Sequence, residues 1–160
     1  MQPLPQSPQR NFIRNLDRVS VLIADDDPFV GRLITAILQD SGIYNVHSVK
    51  DGEEAFNLLK ERSFDLAILD IHMPFVNGIA LSAQIRALDR LQRRRTGIII
   101  MTTHCDAKLV PFVRANEVDQ LCLKPLTRGN LMQRILTALS PRHQVQREPE
   151  PDTSFDAVWI

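Results

Sequence analysis

The chain has 160 residues, with 19 Lys and Arg against 19 Asp and Glu, so no net charge draws it to nucleic acid or to a membrane surface. A hydrophobic content of 44% with 24% charged residues fits one folded domain with a substantial core. No apolar run approaches the ~18 residues of a membrane span, the first twenty residues lack a secretion signal, and Cys105 and Cys122 lack CxxC spacing, so a reducing, cytoplasmic location is expected.

Residues 1–18 carry Pro3, Pro5 and Pro8 among Gln, Ser and Arg and read as a flexible N-terminal segment, with Phe12, Ile13 and Leu16 able to close it as one apolar helical turn. From Val19 to about Leu139, short apolar runs alternate with amphipathic stretches five times, the pattern of βα units around a parallel sheet. Val21–Ala24 reads as the first strand. The helix after it starts at Pro28 with Asp27 as its cap and ends at Ser41-Gly42. Tyr44–Val49 is the second strand, and Asp51-Gly52-Glu53-Glu54 opens the next helix with acidic residues in its first turn. Leu66–Leu69 is the third strand and Ile79–Leu91 the helix that follows.

Ile98–Met101 reads as the fourth strand. The next helix is interrupted by Pro111, so it either starts late or is kinked, and His104–Lys108 is expected not to be regular helix. Asn116 is a candidate left-handed cap. Leu121–Leu123 is the fifth strand and Leu126–Leu139 the last helix, ended by Pro141. Residues 19–140 form the expected domain. Residues 141–160 read as a flexible tail with the apolar end Phe155, Val158, Trp159 and Ile160, expected to dock on the chain's own surface or on a partner near the face formed by the fourth and fifth helices.

Four of the apolar runs end on reactive side chains: Asp25 and Asp26, Asp70, Thr102, and Lys124. In a parallel sheet these ends share one edge, where open α/β sheets bind ligands. Two carboxylates such as Asp26 and Asp70 suit Mg²⁺, with Asp25 acting through water or positioning the others. Clustered carboxylates repel at roughly 4 kcal/mol for a pair 4 Å apart at an effective dielectric of 20, so a cation and Lys124 are expected beside them. A carboxylate can itself accept a phosphoryl group. Asp70, on the middle strand, is the candidate nucleophile, with Lys124 and Thr102 placed to hold phosphoryl oxygens. Asp25-Asp26-Asp27 also formally matches the Asp-x-Asp of a haloacid-dehalogenase-type phosphohydrolase.

With these residues in hand, the chain from Val19 to Leu139 resembles a receiver domain of two-component response regulators, in Val-Leu-Ile-Ala-Asp-Asp-Asp-Pro, Leu-Asp-Ile-His-Met-Pro-Phe-Val-Asn-Gly, Met-Thr-Thr and Leu-Lys-Pro-Leu-Thr. The resemblance implies a flavodoxin-like (βα)5 doubly wound sheet in strand order 2-1-3-4-5. It implies that Asp70 takes a phosphoryl group from a phosphohistidine on a sensor histidine kinase or histidine phosphotransfer protein. It further implies Mg²⁺ (or Mn²⁺) held by Asp26, Asp70 and the His72 backbone carbonyl with help from Asp25, Thr102 and Lys124 as phosphoryl ligands, and a cis Lys124–Pro125 bond. His72 and His104, each two residues after a site residue, occupy positions that tune phosphoryl lifetime in the family.

Such a domain signals through an unidentified downstream protein or by onward transfer rather than as an enzyme, and the space outside residues 19–139 is too short for an effector domain. A receiver-like module that binds without phosphorylation is the alternative. The sequence departs from the family in Leu121, where an aromatic switch residue is usual, in Glu117, where glycine is common, and in Gly97, where proline often begins the strand. Arg86, Arg90 and Arg93-Arg94-Arg95 read as a solvated helix end favoured by the helix dipole, and no aromatics stand near them to bind nucleic acid.

Overall fold

The computed structural model describes residues 15–140. Five parallel strands alternate with five helices: β1 (Ser20–Ala24), α1 (Pro28–Asp40), β2 (Asn45–Val49), α2 (Gly52–Glu61), β3 (Leu66–Asp70), α3 (Gly78–Gln92), β4 (Gly97–Thr102), α4 (Leu109–Ala115), β5 (Gln120–Leu123) and α5 (Arg128–Ala138). The strand order is β2-β1-β3-β4-β5, as expected. A short 3-10 turn at Leu16–Arg18 precedes β1, and Leu16 packs against the core. Phe12, Ile13 and the tail residues 141–160 lie outside the described residues.

The central strands are apolar on both faces because both faces are covered. Strand alternation splits them: Val21, Ile23, Leu66, Ile68, Ile99 and Met101 face one layer with Ile34, Leu38, Leu131 and Ile135. Leu22, Ala24, Ala67, Leu69, Ile98 and Ile100 face the other, with Ala55, Leu59, Leu81 and Ile85. Helix starts follow local capping chemistry: the carboxylates of Asp27 and Asp51, the Asn77 amide oxygen and the Thr127 hydroxyl each accept a first-turn backbone N–H.

The helix that carries Pro111 begins late. Pro111 is the third residue of α4, within the first turn, where its missing N–H costs no helical bond, and residues 104–108 lie outside regular helix. Asn116 closes this helix with φ −95°, so it is not the left-handed residue expected; that conformation falls on Glu117, at φ 52°.

The arginine run differs from expectation in part: Arg90 and Arg93 are exposed as expected, but Arg86, Arg94 and Arg95 are not. Arg86 is 4% exposed. It donates to Asp89 Oδ2 at 2.7 Å, to the Thr96 and Glu117 carbonyls at 2.7 and 2.8 Å, and to Asp119 Oδ2 at 3.1 Å. Arg95 donates to Asp119 Oδ1 at 2.7 Å, and Arg94 lies 3.4 Å from Asp89. These side chains are the cationic half of a buried network that ties the end of α3 to the starts of β4 and β5. Asp119 also accepts the Ile98 N–H at 2.8 Å. The Arg86 hydrogen bond to the Glu117 carbonyl helps hold a left-handed turn where glycine would have been the cheaper residue.

Candidate functional site

Parallel pairing sets the site's layout. Leu69 of β3 pairs with Ala24 of β1, Asp70 with Met101 of β4, and Thr102 with Leu123 of β5. Asp25, Asp70, Thr102 and Lys124 therefore arrive one after another along a single sheet edge. Asp25 is 3%, Asp70 6% and Thr102 3% exposed, whereas Asp26 is open to solvent.

Carboxylate oxygens of Asp25, Asp26 and Asp70 all lie within 4.8 Å of one another. Lys124 Nζ donates to Asp25 Oδ2 at 2.9 Å and lies 3.4 Å from Asp70 Oδ1. The Asp25 carboxylate also accepts the Asp27 N–H at 2.8 Å, and Asp70 accepts the His72 N–H at 3.4 Å. Burial, followed by the Asp25 charge, raises the Asp70 carboxyl above its ordinary range, against the opposing pull of Lys124 and the His72 N–H. Burial alone would lower the Lys124 ammonium, but its hydrogen bond to Asp25 and the charges of Asp25 and Asp70 outweigh it and hold the ammonium above its usual value. Three carboxylates against one ammonium leave two negative charges in one crevice, and their oxygens have the hardness and spacing that suit a divalent cation.

Thr102 sits at the same edge, but its hydroxyl is engaged by its own loop. It donates to the His104 carbonyl at 2.8 Å and accepts the His104 N–H at 3.2 Å. Sequence reasoning missed this tie, because nothing in Thr-Thr-His distinguishes a free hydroxyl from one turned into a tight bend. The His104 ring is exposed and lies 3.1 Å from the Thr103 hydroxyl. The His72 ring is likewise exposed, beside Asp70. The Lys124–Pro125 peptide is cis. Leu121 is half-buried and packs against the second core layer, so no aromatic ring occupies that position.

Gly78 has a steric reason to follow Asn77. A Cβ there would stand 2.4 Å from the Asp70 carbonyl oxygen, so only glycine lets α3 start against the backbone of the site. Phe75, in the same loop, is 84% exposed at φ 68°. Asp27 spends its carboxylate on capping the Phe29 N–H at 2.9 Å, which removes it from the acid pair that a dehalogenase-type phosphohydrolase requires.

Known proteins share this fold and family pattern. The family described as response regulator receiver domain matches residues 21–136. The transcriptional regulatory protein ZraR of Escherichia coli K12 is 30% identical over 133 residues, which cover 82% of this chain and 29% of ZraR. Chemotaxis protein CheY-3 of Vibrio cholerae is 29% identical over 119 residues, covering 73% of this chain and 88% of CheY-3. Among solved structures, a CheX–CheY complex with BeF3 and Mg²⁺ from Borrelia burgdorferi superposes with a TM-score of 0.70 at 27% identity, over 76% of this chain and 90% of that one. The chain thus spans less than a third of ZraR and about nine tenths of CheY-3. A sheet ordered β2-β1-β3-β4-β5 with an acidic crevice at its carboxyl edge, matched over residues 21–136, makes this chain a member of the response regulator receiver family, the receiving modules of two-component systems. No helix among the described residues is long and apolar enough to cross a membrane.

Proposed function

We propose that the protein is a phosphoacceptor receiver in which Asp70 takes a phosphoryl group from a phosphohistidine on a sensor kinase or phosphotransfer protein. The observation that carries this reading is the convergence of Asp25, Asp26 and Asp70 within 4.8 Å, with Lys124 in contact with two of them. An ionised carboxylate needs no general base. An Asp70 oxygen attacks phosphorus, the P–O bond forms as the P–N bond breaks, and its electron pair stays on the departing imidazole.

Mg²⁺ (or Mn²⁺), held by Asp26, Asp70 and the His72 carbonyl with Asp25 in support, would offset the charge that builds on the phosphoryl oxygens. Lys124, already drawn in by Asp25 and Asp70, supplies a fixed positive charge for one of those oxygens. Thr102 supplies a hydrogen bond to another only by giving up the His104 carbonyl. Modification of Asp70 thereby loosens the loop that leads into α4, and this exchange is the output we assign to the site. His72 and His104 flank the path of an attacking water and set how long the phosphoryl group survives. Incubation with a phosphorylated phosphotransfer protein or a small acyl phosphate should load one phosphoryl group per chain in the presence of Mg²⁺ and none after chelation. The Asp70→Asn variant should load none; equal loading of that variant would refute the assignment.

A further inference from the structure

Beside the site, α4 and the start of α3 flank a groove of about 670 Å³ lined by Ile71, His72, Met73, Asn77, Ile79 and Phe112. Its size falls within the roughly 300–1,000 Å³ range of clefts that bury a ligand. The α4 helix has no buried residue; Phe112 is 57% and Val110 37% exposed, so this face is apolar and unpartnered among the described residues. The chain itself carries a matching segment: Phe155, Val158, Trp159 and Ile160 form an apolar cluster that a polar stretch has no reason to hold unless it is covered. Residues 141–154 separate this cluster from Ser140, and extended they reach as far as ~50 Å. A domain of this size has a radius of gyration of only ~14 Å, so any point on its surface lies within range.

We propose that residues 155–160 of this same chain dock in the groove between the β3–α3 loop and α4, with Trp159 seated against Phe112 and Ile79. The proposal goes beyond the phosphoacceptor reading and does not depend on it, since docking is tested on the unmodified protein.

Trp159 is the chain's only tryptophan and reports on the proposal directly. With a tethered concentration on the order of 1 mM and a groove affinity of about 0.1 mM, some nine chains in ten are docked and quencher access to the indole falls about tenfold. The full chain should therefore show blue-shifted emission and about tenfold weaker acrylamide quenching than its Phe112→Ser variant. Phe112→Tyr should keep both properties, and circular dichroism should be alike in all three. Emission of a solvated indole in the full chain would overturn the proposal. So would a blue shift that Phe112→Ser leaves intact, which would place the segment elsewhere, or one lost on dilution, which would assign the groove to a second copy.

Discussion

At the scale of single residues, the site combines two opposed demands. In the proposed reaction Asp70 has to be ionised to attack phosphorus, yet burial and the Asp25 charge raise its carboxyl above the ordinary range. A carboxyl raised on folding contributes fully to stability below its unfolded pKa, and that contribution is lost as pH rises through the raised value. Asp70→Asn should therefore stabilise the metal-free protein at neutral pH by a few degrees, since about 1 kcal/mol moves the melting temperature of a domain this size by ~3–5 °C. The gain should shrink as the pH is lowered into the ordinary carboxylate range. Mg²⁺ at a hundredfold excess over its Kd should add about 2.7 kcal/mol to the unmodified protein and far less to the variant. Thermal melts with and without chelator read both effects; an Asn variant less stable than its parent at neutral pH would contradict the charge accounting.

At the scale of elements, two contacts hold α3 in place, one against the site and one at the far end of the sheet. Gly78 lets α3 approach the Asp70 backbone, where a Cβ would stand 2.4 Å from the carbonyl oxygen. Gly78→Ala should cost about 1–3 kcal/mol from overpacking and weaken Mg²⁺ binding together with stability. At the opposite end of the sheet, Arg86→Met should cost about 3 kcal/mol by leaving part of the Asp89 and Asp119 charge buried without its cation, while phosphoryl loading at Asp70 persists. Denaturant titration measures both.

The strands and the candidate site edge were legible in the sequence because apolar runs buried on both faces end abruptly at Asp25, Asp70, Thr102 and Lys124, whereas the strand order followed only from the resemblance to receiver domains. The role of Arg86 was not legible. Arginines at the end of a helix look the same whether they meet water or buried carboxylates, and only the fold brings Asp89 and Asp119 beside Arg86. The Thr102–His104 bend was hidden for a similar reason, since the hydroxyl's partner is decided by two backbone turns. The left-handed turn fell on Glu117 rather than Asn116, because the Arg86 hydrogen bond to the Glu117 carbonyl favours a conformation that propensity alone disfavours.

At the scale of the molecule, α4 is held unequally at its two ends. Its carboxyl end is anchored through Glu117 to Arg86 and through buried Val118, whereas residues 104–108 are exposed and lie outside regular helix. Local opening follows such differences in burial, so amides of 104–108 should exchange orders of magnitude faster than those of α1. Exchange as slow as in α1 would show that Thr102 has no loose loop to act upon.

The account rests on Asp70 as the residue that becomes covalently modified. The most direct measurement is to load the protein from an acyl-phosphate donor with Mg²⁺, trap the acyl phosphate by borohydride reduction, and map the reduced residue by peptide mass spectrometry. The account predicts one modified position per chain, at residue 70. Reduction at Asp25 or Asp26 instead, or a phosphoryl group that resists borohydride because it sits on His72 or His104, would contradict it.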